Sequence, residues 1–104
     1  MYAKEMEFLR RYLGMARSNH IAVVMVEVPL PKANIALLPD DLQDKYQLDV
    51  AALAAQYQAI LLKPAWTVDF VESDFEDNAH LSNDGGEKMY KSIAPSIAAE
   101  LSAI

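Results

Sequence analysis

A chain of 104 residues with 53% hydrophobic side chains, three glycines and five prolines has the size and composition of one globular domain, and a disordered tract is excluded. Nine basic against fifteen acidic side chains leave a net charge of −6, a field that repels phosphate backbones and anionic lipid and so excludes nucleic acid as a partner. The absence of cysteine removes disulfides, thiolate nucleophiles and soft-metal sites, and leaves the compartment open.

The charge is uneven. Residues 1–20 carry four basic and two acidic side chains, which leaves −8 for the remainder. The longest uncharged run, Val50 to Leu62, is thirteen residues with two glutamines, short of the roughly 20 apolar residues of a membrane span. The opening MYAKEMEFLRR lacks the apolar centre and cleavage site of a signal peptide. The expectation is a soluble protein.

In chain order, Tyr2, Met6, Leu9, Leu13 and Ala16 fall at the 4-3-4-3 spacing of one helical stripe, which predicts a helix ending near Ser18 and Asn19. IAVVMVEV, residues 21–28, reads as a strand buried on both faces, as parallel strands are, and Pro29 and Pro31 end it. Residues 32–48 read as a long connection with room for a helical turn. Asp49 caps a predicted helix bearing Val50, Leu53, Ala54, Tyr57, Ile60 and Leu61, which closes before Pro64. WTVDFV, residues 66–71, reads as the second strand. The last helix is predicted from Asp84, with Glu87 completing a capping box and Met89, Ile93, Ile97 and Leu101 on one stripe, kinked at Pro95. Helix, strand, helix, strand, helix is an α/β order with a parallel sheet and right-handed crossovers. Two strands alone leave apolar faces and edges uncovered, so further strands are expected from a second copy in a homo-oligomer or from a missing N-terminal half.

Seven carboxylates and no lysine or arginine stand between Pro64 and Glu87. Within that stretch Asp77 lies three residues before His80, close enough to accept the imidazole Nδ1 proton and leave Nε2 free as a base toward a hydroxyl. Chemistry in α/β proteins gathers in loops at the carboxyl ends of strands, where residues 72–83 are expected to lie. The competing reading of Asp77 and His80 is a solvated turn with a capping role. Asp74, Glu76 and Asp77 also offer oxygen ligands for a hard cation, but without the glycine that an EF-hand loop needs. No resident metal or cofactor is expected. His20 reads as a surface residue at the mouth of the first strand. Trp66 and Tyr57 read as core or interface, and Met6, Met25 and Met89 as core.

The pattern from residue 2 to 101, with HIAVVMVEVPLP, DVAALAAQYQAILL, WTVDF and FEDNAHLSNDGGEKMYKSIAPSIAAEL in order, resembles the C-terminal half of SGNH (GDSL-type) ester hydrolases. Within that superfamily it is most similar to SGNH-like acyltransferases and carbohydrate O-acyl enzymes. The final block carries the motif, with Asp77, His80, Ser82, Gly85 and Gly86 in sequence. The resemblance implies a flavodoxin-like α/β/α sandwich, His80 as general base, Asp77 as the residue that orients it, and an ester or acylated carbohydrate as substrate. It also implies a serine in a Gly-Asp-Ser turn, an oxyanion-hole glycine and a Gly-x-Asn-Asp block, none of which occurs in these 104 residues. Ser18, Ser73, Ser82, Ser92, Ser96 and Ser102 all lack a nucleophile's strand-turn-helix setting, and Ser82 reads as a turn or cap residue. The alternative is a non-catalytic interaction module that kept the fold.

Overall fold

The computed structural model describes residues 2–103. Its elements are α1 (Tyr2–Ser18), β1 (Val24–Val26), α2 (Lys32–Ile35), α3 (Asp40–Gln56), β2 (Ile60–Leu62), 3-10 turns at Pro64–Trp66 and Glu72–Asp74, and α4 (Asn83–Ala103). The architecture is mixed α/β. Among the described residues the sheet is β1 paired with β2, in parallel: Ile60 N–H donates to Val23 C=O at 3.0 Å and Glu27 N–H to Leu62 C=O at 2.9 Å.

The polypeptide resolves into two compact units. The first holds the residues up to Met25 with Pro39–Leu61, and the second holds Val26–Leu38 with the residues from Leu62 onward. In the first, α1 packs on α3. The stripe foreseen on α1 is the one that turns inward, from half-buried Tyr2, Met6 and Leu9 to buried Leu13 and Ala16. Tyr2 Oη donates to Asp49 Oδ2 at 2.7 Å, and Lys45 Nζ reaches the same oxygen at 2.8 Å. Both helices stop in the same way. Ile21 N–H returns to Ala16 C=O at 2.9 Å and Ala59 N–H to Ala54 C=O at 2.8 Å, which puts His20 (φ 58°) and Gln58 (φ 56°) in the left-handed region that such helix ends require.

In the second unit, α4 packs against both 3-10 turns, with Pro64, Phe70 and Asp74 buried. The start of α4 lies so close to the Glu72–Asp74 turn that a Cβ on Gly85 would stand 1.9 Å from Asp74 C=O, so only glycine fits.

Several expectations are corrected. The helix expected from Asp49 to Leu61 begins at Asp40 and ends at Gln56. Pro39 supplies a fixed φ before its first turn, and Asp40 and Asp41 complement the helix dipole there. Its inward positions are Gln43, Gln47, Asp49, Val50, Leu53 and Ala54, so the first half of the stripe is polar. With that helix stopped by Gln58, Ile60–Leu62 becomes the second strand. The strand expected at 66–71 is instead a 3-10 turn begun by Pro64 and followed by irregular backbone, and Trp66 lies 70% exposed with Lys63 Nζ 4.2 Å above its ring. The first strand is three residues, half-buried where burial on both faces was expected, because a single neighbour cannot cover it. Tyr57 is half-buried against Gly14, and Met6, Met25 and Met89 are half-buried. In α4 the cap is Ser82, whose Oγ accepts Gly85 N–H at 3.2 Å, and Glu87 pairs with Lys91 at 2.9 Å instead of closing a capping box from Asp84. The helix runs through Pro95 without a break, and Leu101 on its stripe is exposed.

Candidate functional site

The loop that bears Asp77 and His80 is built from its own backbone. Phe75 and Leu81 form an antiparallel bridge, and Glu76 N–H donates to His80 C=O at 2.8 Å. Inside that closure the Asp77 carboxylate bends back over the turn, Oδ1 accepting Ala79 N–H and His80 N–H, each at 2.8 Å. A short acidic side chain does this readily, as aspartates do in turns.

The same carboxylate meets the imidazole. His80 Nδ1 lies 2.9 Å from Asp77 Oδ1 and 2.8 Å from Oδ2, the arrangement in which Nδ1–H donates and Nε2 carries the lone pair. Both side chains face solvent, His80 75% and Asp77 55% exposed, and among the described residues Nε2 has no protein partner. The Asp77 carboxyl is held below the usual carboxylate range by Ala79 N–H first, then by the His80 ring and His80 N–H. Sequence spacing pairs these two residues, and the structure does the same.

Among the described residues no serine completes the pair. The Ser82 hydroxyl donates to Ser73 C=O at 3.0 Å and caps α4, while Ser18, Ser92 and Ser102 donate to carbonyls of their own helices. Beside the pair is a cleft of about 590 Å³, lined on one side by Pro31–Asn34 and on the other by Phe70, Val71, Glu72 and the segment from Phe75 to Asn78. Asn34 Nδ2 donates to Asn78 C=O across its end.

The acidic run does not gather into a cation site. Asp74 turns to Lys88 and Asp77 to the loop amides, and among the described residues no three carboxylate or imidazole groups converge. What sequence spacing misses is this Asp74–Lys88 pair, 2.6 Å apart, with Asp74 4% exposed. Its only signal is that Lys88 is the first basic residue after the seven carboxylates. Lys88 first, then Val71 N–H, holds the Asp74 carboxyl below its ordinary range.

No helix among the described residues is long and apolar enough to cross a membrane. Compared with protein-family models, with curated proteins and with solved structures, the sequence and its fold find no match in any of the three.

Proposed function

We propose that this protein supplies the acid–base half of an SGNH-type serine ester hydrolase or O-acyltransferase, acting on an ester or acylated carbohydrate with a serine from outside these 104 residues. The observation that carries the reading is the Asp77–His80 pair, with Nδ1 bound at 2.8–2.9 Å and Nε2 open to solvent. In that role Asp77 fixes the tautomer and offsets the charge of the imidazolium, while Nε2 takes the proton of an attacking hydroxyl and returns it to the leaving group. A base and its orienting carboxylate without nucleophile or oxyanion hole forgo several kcal/mol of barrier lowering, so the isolated protein is expected to turn over little.

The test is a fluorophosphonate probe read by intact mass. The purified protein should take up none, and a serine in the native assembly isolated from its source cells should be labelled in a His80-dependent way. Labelling of that assembly that is absent, or indifferent to His80→Ala, overturns the reading. An adduct on the purified protein alone, lost in His80→Ala, would place the serine within these residues.

A second reading, a non-catalytic module that assembles with itself, is favoured by one feature of α1. Phe8, Tyr12 and Met15, at i, i+4 and i+7, are each more than half exposed on a flank of the helix beside the inward stripe. Light scattering decides on this point: a strict monomer at high concentration removes the self-assembling module.

A further inference from the structure

Apart from Asn34 Nδ2, which donates to Asn78 C=O, the bonds that shape the loop at residues 75–81 are local to it, and a closed loop still has to be fixed to the fold before its imidazole has a defined position. Asp74 does this from both ends. On the incoming side its Oδ2 accepts Val71 N–H at 2.8 Å, and on the outgoing side its backbone C=O accepts Ser82 N–H at 2.8 Å. From α4, Lys88 Nζ donates to the same Oδ2 at 2.6 Å and to Asp69 C=O at 3.0 Å, and lies 5.5 Å from the Phe70 ring centre. One ammonium thus ties α4 to the segment entering the loop, and one aspartate ties that segment to the residue leaving it.

We infer that the Asp74–Lys88 ion pair is a latch that positions the Asp77–His80 pair, holding the loop closed so that the imidazole keeps its Nδ1–H tautomer. A buried carboxylate is tolerated only when paired, and buried ion pairs add little stability compared with apolar packing while they can specify one geometry. That is the service needed here, because Asp77 and His80 are exposed and have little packing of their own. Asp74 and Lys88 are positioning residues, acting on His80 through the loop backbone. The inference rests on the reading of Asp77 and His80 as an orienting residue and a base, but its test reads geometry and not turnover.

The measurement is the imidazole ¹⁵N–¹H NMR spectrum of His80 in the purified protein, at a pH where the ring is neutral. The native protein should show Nδ1–H. Lys88→Met should lose it in favour of the Nε2–H form that histidine prefers in water, and Lys88→Arg should keep it. Because Lys88→Met strands a buried carboxylate, the double variant Asp74→Asn/Lys88→Met serves beside it and should lose the Nδ1–H signature too. A folded Lys88→Met or double variant that retains the native tautomer overturns the latch. Amide exchange in the native protein gives a result that needs no substitution: Val71, Ala79, His80 and Ser82 N–H should open in one event, and separate opening of Val71 from the loop amides overturns the latch as well. Loss of the tautomer in Lys88→Met with no serine reactivity in the native assembly would leave the latch standing and strike out the catalytic reading alone.

Discussion

A methyl group at position 85 would collide with the fold. The virtual Cβ 1.9 Å from Asp74 C=O cannot be relieved by a side-chain rotation, because the obstacle is backbone that also receives Ser82 N–H. Gly85→Ala is therefore expected to destabilise by about 3 kcal/mol or more, the upper end of overpacking, measured by urea denaturation. Gly86→Ala serves as control, since nothing lies within 4 Å of its virtual Cβ. His20 and Gln58 present the opposite case, residues with a Cβ in the left-handed region where glycine is at ease. Replacing either with glycine should stabilise by up to about 1 kcal/mol, once the entropy glycine loses on folding is set against the relieved contact. At this scale the sequence is informative where partners are near in the chain. Asp77 and His80 are three apart and pair by spacing alone, whereas Asp74 and Lys88, fourteen apart, meet only because α4 folds back over the Glu72–Asp74 turn.

The helices are legible in proportion to how apolar their inward positions are. On α1 every inward residue of the stripe is apolar or aromatic, and Leu13→Ala, at its most buried point, should cost roughly 2–5 kcal/mol by chemical denaturation. On α3 the inward positions of the first half are glutamines, while Leu42 and Leu48 point outward, so hydrophobic periodicity is silent over nine residues that are helical. The strands are the least legible. Ile60–Leu62 continues the apolar content of α3 without a break, and only the left-handed Gln58 divides them. WTVDFV has the composition of a strand, yet Pro64 opens a 3-10 turn that takes in Trp66, and among the described residues no neighbouring strand pairs with it. In α4, Pro95 has no N–H to offer the preceding turn, so Pro95→Ala should lengthen thermal survival and raise stability by up to about 3 kcal/mol.

Over the molecule as a whole, the ion pairs decide how stability follows pH. Glu7 is drawn down to about 2 by Arg10 and Arg11, and Asp49, Asp74, Asp77 and Glu87 are lowered by Lys45, Lys88, Ala79 N–H and Lys91 as their leading partners. Each binds its proton more weakly folded than unfolded, so the stability they contribute is present above the ordinary carboxylate pKa of about 4 and is lost as pH falls through the folded values. Tyr2, raised to about 12 by its hydrogen bond to Asp49, behaves in the other sense: its share is present below the ordinary tyrosine value of about 10 and is lost as pH climbs through 12. The urea midpoint should therefore be flat near neutrality and fall on both sides, and a midpoint that rises on acidification below about pH 4 would contradict the assignment. The choice of signal for such titrations is itself set by the fold. Trp66 is the sole tryptophan, and with 70% of it in water and an ammonium 4.2 Å above its ring it is expected to emit from a solvated environment, partly quenched by Lys63, in the native state. Its fluorescence should shift little in wavelength and brighten on unfolding as Lys63 departs, so the indole reports on the turn at Pro64 while far-ultraviolet dichroism reports on the helices.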